Sequence, residues 1–163
     1  MLATLIVGAT RTAATFTTDP EKILALLNER LQGRGLVTCL ALHIERDGSS
    51  VLVNAGHLPP YVNGRELPIE GALPLGAIPG ATFSVLRFHL AEGDSLMLMS
   101  DGVAEAKDGK GHLFGFDRIT EMLNTRTTAA GLAFAAQSFG QEDDITVLTT
   151  ARDRAFAPPR LNL

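Results

Sequence analysis

The spacing of apolar residues divides this chain into a helical start, a strand-rich middle and a mixed end. Leu2, Leu5, Ile6 and Ala9 fall at helical spacing and predict an amphipathic helix over residues 1–12. A second helix opens at Asp19-Pro20-Glu21, with the aspartate as cap and the proline in the first turn. Ile23, Leu27 and Leu31 make its stripe, and Gly33 ends it. The period then shortens. Residues 36–45 are apolar and partly alternating, Asp47-Gly48 is a hairpin turn, and residues 50–55 return as a second strand. Asn63-Gly64 makes another turn, between short strands at Tyr61-Val62 and Glu66-Leu67, and residues 71–80 form a Gly/Pro-rich loop. Residues 82–90 and 95–100 read as a hairpin joined through Glu92-Gly93-Asp94. Unbroken apolarity over 96–99 marks a central strand covered on both faces. Helices are expected over 116–123 and 128–139, the second stopped by Gly140, with a last strand over 145–150. The tail, with Arg152, Arg154, Pro158 and Pro159, reads as frayed.

Consecutive hairpins and two groups of helices predict an α+β fold of mainly antiparallel sheets with helices outside them. Strict strand–helix alternation, which a doubly wound parallel sheet requires, is absent. With 163 residues and 45% hydrophobic content the chain can build one domain with a real core, expected over residues 1–150, followed by a tail over 151–163. A formal net charge of -4 offers no broad basic surface, so no nucleic acid is expected as a partner. The single cysteine, Cys39, excludes an internal disulfide framework and reads as a small core residue. The apolar N-terminus is too short to span a bilayer, and no positive residue precedes it as in a signal peptide. No membrane is therefore expected as a partner of this domain.

Candidate chemistry sits at the tips of two strands. Residues 96–100 lead straight into Asp101-Gly102, and Asp143-Asp144 leads straight into residues 145–148. Carboxylates at the ends of buried strands are costly unless a positive group pairs with them, and a hard divalent cation is a natural partner. That combination points to metal-assisted chemistry on a phosphate, with Asp101 and Asp143 expected to converge within about 4–6 Å. Singly, each aspartate reads as a cap or turn residue rather than a ligand, and the metal reading rests on both together with the segment between them. His57 reads as a general acid, as a phosphate contact, or as a turn histidine bound to backbone. His43, His89 and His112 have no metal-ligand spacing, and Glu105 fits a solvent-facing position. Gly71, Gly76 and Gly80 read either as lining of a phosphate cleft or as loop flexibility. Arg11 and Lys22 read as solvated helix residues.

Four segments, in order, resemble the PPM-type protein phosphatases of bacteria, in their stage II sporulation branch. They are Asn54-Ala55-Gly56-His57-Leu58-Pro59-Pro60, Leu73-Pro74-Leu75-Gly76, Ser100-Asp101-Gly102-Val103-Ala104-Glu105-Ala106 and Glu142-Asp143-Asp144-Ile145-Thr146. Leu113-Phe114-Gly115 also fits, and the resemblance covers about residues 1–150. It implies two stacked, mainly antiparallel sheets flanked by helices. It also implies hydrolysis of phosphoserine or phosphothreonine on a protein, with two Mn²⁺ or Mg²⁺ ions activating a water. A phosphorylated antagonist of an anti-sigma factor, in the cytoplasm, is the implied kind of substrate. By motif, Asp101 and Asp143 would be catalytic metal ligands, with Gly102 and Asp144 beside them at the metal site.

The family's earlier Asp-Gly segment, whose aspartate bridges both metals, has no counterpart here, and residues 1–12 resemble the helix that follows it. The expectation is a domain seen without its early strands, with weak metal binding and little activity by itself. Open sheet edges and apolar helix stripes then predict a homodimer. A non-catalytic relative that binds a phosphoprotein or a partner domain is the alternative reading.

Overall fold

The computed structural model describes residues 2–153. In chain order the elements are α1 (Leu2–Phe16), α2 (Pro20–Leu31), β1 (Cys39–Ile44), β2 (Ser49–Ala55), β3 (Tyr61–Val62), β4 (Arg65–Glu66), β5 (Ser84–His89), β6 (Ser95–Met99), a 3-10 turn (Asp101–Val103), α3 (Gly115–Asn124), α4 (Ala129–Gly140) and β7 (Val147–Ala151). They fall into two compact units. The first takes the chain up to Pro59 together with Leu67–His89, and the second takes Pro60–Glu66 and the chain from Leu90 onward. Every named strand pair is antiparallel, as the α+β reading requires.

The first unit is a three-stranded sheet, ordered β1-β2-β5, with α1 and α2. Asp19 caps α2 by accepting a hydrogen bond from the Glu21 amide at 3.0 Å, and Pro20 occupies the first turn. The α2 residues Leu24, Leu27 and Leu31 are buried against Val53, Ala55 and Leu75. Leu2, Leu5, Ile6 and Ala9 of α1 pack onto the same cluster. Each fully buried leucine contributes about 1.5–3 kcal/mol, so this stripe is the main source of the unit's cohesion. Gly48, at φ 94°, closes the β1–β2 hairpin. The strand expected from residue 36 begins only at Cys39, because Val37 pairs in an isolated bridge with Leu75. Cys39 is half-buried beside the core, and burial pushes its thiol pKa up.

The second unit is a four-stranded sheet, ordered β4-β3-β6-β7, with the 3-10 turn, α3 and α4. Asn63 at φ 51° and Gly64 at φ 81° form the two-residue turn between β3 and β4, the left-handed pair such a turn demands. β6 is central, and its Leu96, Met97 and Met99 are buried. Met97 and Met99 share a core with Phe114, Ile119, Leu123, Leu132 and Ala136. Phe114 meets Phe139 edge-on at 5.5 Å, and the Arg118 guanidinium lies 4.7 Å from the centre of the Phe139 ring.

Two expectations are corrected. Residues 82–90 and 95–100 do not form a hairpin: β5 pairs with β2, whereas β6 pairs with β3 and β7. Glu92-Gly93-Asp94 is a turn, but its outgoing side pairs elsewhere. Gly93 donates to the Arg152 carbonyl at 2.7 Å, and Arg152 donates to the Asp94 carbonyl at 3.0 Å. Arg152 is consequently no frayed residue, and its guanidinium also donates to the Leu90 carbonyl at 3.0 Å. Arg154, Pro158 and Pro159 lie outside the described residues. Among the described residues no helix is long and apolar enough to cross a membrane.

Candidate functional site

The four motifs pair off two by two, one pair in each unit. In the second unit, β6 and β7 run antiparallel with Met99 opposite Val147. The end of β6 and the start of β7 therefore share one edge of the sheet. Extending that register brings Ser100 opposite Thr146, and the Ser100 amide indeed donates to the Thr146 carbonyl at 2.9 Å. The Ser100 hydroxyl donates to the Asp144 carbonyl and accepts from the Thr146 amide, both at 3.0 Å. One side chain thus fastens the Asp143-Asp144 loop to the start of the Asp101-Gly102 turn.

Gly102 fits the same contact. A Cβ there would lie 2.5 Å from the Asp144 carbonyl oxygen and 3.7 Å from the Asp143 carbonyl carbon. Asp101 is exposed, and its carboxylate accepts from the Gly102 amide at 3.0 Å. Asp143 is exposed, and its carboxylate accepts from the Asp144 amide at 2.7 Å. Asp144 is exposed as well. No Lys, Arg or His ion-pairs with any of the three among the described residues.

The donor set is therefore oxygen only, open to solvent and uncompensated, which is the chemistry a hard divalent cation takes. It is not a closed cage: among the described residues no three His, Cys, Asp or Glu side chains are grouped to hold an ion. These residues fit an ion that keeps several waters, as Mg²⁺ commonly does on one or two carboxylates.

The loop is held at its entry too. Lys107 donates through its amide to the Gly140 carbonyl at 2.9 Å, and through Nζ to Glu142 Oε2 at 2.8 Å. That hydrogen bond raises the Lys107 pKa, keeping the ammonium charged. A Cβ on Gly140 would collide with the Lys107 carbonyl, so the helix end and the Lys107 backbone approach as only glycine allows. Lys107 is paired with Leu113 across a small hairpin whose loop is held by Asp108. The Asp108 carboxylate accepts from the Lys110 and His112 amides and from His112 Nδ1, at 2.8–2.9 Å. The His112 contact is the main reason its pKa falls to about 2. Glu105 is exposed. Lys107 escaped the sequence reading, and Ser100 and Glu142 entered it only as motif positions with no role assigned. A serine directly before Asp-Gly was the one local signal for Ser100, while the Lys107–Glu142 pair spans a separation no local pattern encodes.

In the first unit the other two motifs meet. Gly56, at φ 75°, has the Ala72 carbonyl oxygen and the Pro74 nitrogen 3.0 Å from where a Cβ would sit. Asn54 is buried; it accepts from the His57 amide at 2.8 Å and donates to the His57 carbonyl at 3.1 Å. His57 Nδ1 lies 3.2 Å from Thr38 Oγ1. These contacts favour the turn-histidine reading of His57. Gly76 is a packing glycine: its φ is 85° and the Gly35 and Leu31 carbonyls occupy the space of a Cβ. Gly71 and Gly80 have open space around them. His43 pairs with Glu45 at 2.8 Å and His112 with Asp108 at 2.9 Å, while His89 is exposed. Arg11 is exposed on α1, and Lys22, exposed on α2, pairs with Asp19 at 3.4 Å. Two open cavities of about 370 and 390 Å³ lie in this unit, the first beside Asp19, Glu21 and Phe83, the second beside His43, Arg87 and Phe88. None of the acidic-loop residues lines them.

The model of the family described as stage II sporulation protein E (SpoIIE) matches residues 1–153. No curated protein matches the chain. Among solved structures it is similar to the RsbU and RsbW domains of a Mycobacterium tuberculosis protein, with 22% identity over 93% of this chain and 47% of that one, at a TM-score of 0.75. It is similar to the PP2C phosphatase domain, with a fragment of the regulatory domain, of SpoIIE from Bacillus subtilis, with 21% identity over 91% and 49% at 0.74. A manganese-presoaked form of that Bacillus subtilis phosphatase domain is also similar, with 21% identity over 91% and 72% at 0.56. At such identities the likeness is one of fold, that of PP2C phosphatases. The chain spans about half the length of the first two structures. With the match running over residues 1–153, the chain belongs to the stage II sporulation protein E family.

Proposed function

We propose that residues 1–150 form the catalytic domain of a metal-dependent phosphatase, with 151–163 as its tail, acting on phosphoserine or phosphothreonine of a regulatory protein. An antagonist of an anti-sigma factor, in bacterial cytoplasmic signalling, is the substrate class that family membership favours. The observation that supports this best is the junction of the two acidic loops, where Ser100 and Gly102 meet the Asp144 carbonyl. Asp101 and Asp143 would hold Mn²⁺ or Mg²⁺, with Gly102 and Asp144 beside them. The bound ion supplies Lewis-acid charge and a water of lowered pKa. The chain's own contribution is to hold two exposed carboxylates in position, since positioning and preset charge carry most of such catalysis.

The absence of a three-ligand group among the described residues favours a second reading, a phosphatase-like domain that binds a phosphoprotein without cleaving it. Turnover of an aryl phosphate by residues 1–163 in millimolar Mn²⁺ separates the two. We expect slow, manganese-dependent hydrolysis that Asp101→Asn abolishes while circular dichroism is unchanged. Hydrolysis indifferent to both Asp101→Asn and Asp143→Asn would end the metal-site reading. No hydrolysis, together with retention of a phosphorylated peptide, would favour the binding domain.

A further inference from the structure

The Asp143-Asp144 loop is fastened at both ends, and the two fastenings differ in kind. At its exit the hold is neutral and short-range: the Ser100 hydroxyl bridges the Asp144 carbonyl and the Thr146 amide. At its entry the hold is ionic. Lys107 Nζ meets Glu142 Oε2 at 2.8 Å, one residue before Asp143. The lysine is delivered by a hairpin that is itself restrained, by the Asp108 carboxylate and by the Lys107 amide on the Gly140 carbonyl. Neither Lys107 nor Glu142 belongs to the proposed ligand set, and both side chains are substantially exposed.

We propose that the Lys107–Glu142 ion pair is a positioning latch that sets where Asp143 is presented for the metal. It rests on the metal-site reading above and adds residues to it that touch neither metal nor substrate. The sign of its effect separates it from plain electrostatics. A lysine near a cation site repels the cation, so removing that charge alone should tighten metal binding. Removing a latch should weaken it, because Asp143 then samples positions away from the ion. An exposed ion pair supports an effect of about two- to five-fold.

The test is Mn²⁺ affinity, read from free Mn²⁺ by electron paramagnetic resonance, together with amide hydrogen exchange of residues 143–145, in residues 1–163. We expect Lys107→Met to weaken Mn²⁺ binding about two- to five-fold and to speed exchange of those amides. Lys107→Arg should stay near wild type, and the reversed pair Lys107→Glu with Glu142→Lys should recover most of the loss. Mn²⁺ binding by Lys107→Met that equals or exceeds wild type, with unchanged exchange, overturns the latch. If the wild type binds no Mn²⁺, the metal-site reading fails, and the exchange arm still decides whether Lys107 holds the loop.

Discussion

Asp101-Gly102 illustrates how one residue can be read correctly for its place and incompletely for its reason. The sequence marks the pair as a strand-end turn with candidate chemistry. The structure adds that the glycine also clears space for the Asp144 carbonyl, which would lie 2.5 Å from a Cβ. Gly102→Ala must therefore displace backbone, because a carbonyl in a fastened loop cannot swing aside as a side-chain tip can. Overpacking of this sort costs about 1–3 kcal/mol. Urea unfolding should show a lower midpoint with unchanged slope, and an unchanged midpoint would mean that the loop junction yields freely. The carboxylates themselves are exposed. Asp101→Asn should accordingly leave the midpoint close to wild type, so stability and chemistry separate at adjacent positions.

At the scale of elements, the sequence was legible wherever local chemistry decides. Asp19 caps α2, and Asn63-Gly64 takes the left-handed pair of a tight turn. It was not legible where two turns look alike and distant partners choose between them. Glu92-Gly93-Asp94 has the composition of a hairpin turn. Yet Asp94 accepts from the Ala91 amide at 2.8 Å and from the Asn63 side chain at 2.7 Å. Those contacts, with Arg152, commit the outgoing strand to β3 and β7 instead of β5. The Leu73-Pro74-Leu75-Gly76 motif was equally opaque. Leu75 is fully buried, and Asn28 of α2 accepts from the Gly76 amide at 2.8 Å and donates to the Ile78 carbonyl at 3.0 Å. The motif is thus a packing element on α2. Asn28→Ala leaves a partly buried amide without its acceptor, a loss of about 1–3 kcal/mol. Chemical denaturation should register it, and protease cleavage within residues 71–80 should accelerate; a loop no more cleavable than before would separate Asn28 from its ordering.

At the scale of the whole molecule, the question is what covers the apolar surface that each unit leaves open. The expectation that α1 would present its stripe needs revision, because Leu2, Leu5, Ile6 and Ala9 pack on the core of their own unit. What stays open on α1 is its other side and its end. Ala13 is the one α1 residue that is buried, while Val7 is 50% exposed and Phe16 84% exposed. A phenylalanine left in water forgoes most of the 1.5–3 kcal/mol that burial would return, roughly, and exposed apolar surface of this kind tends to mark an interface. Two-fold dimers are the commonest closed assembly, and we expect a homodimer formed through α1. Leu5→Asp would not test it cleanly, since a charge there strikes the unit's own core. Phe16→Asp places the charge on the exposed end and spares that core. Light scattering across a wide concentration range should give a dimer for the wild type and a shift toward monomer for Phe16→Asp, with an unchanged unfolding midpoint for the monomer. A wild type that stays monomeric at the highest concentration refutes the dimer, and a variant that still dimerises moves the interface away from α1.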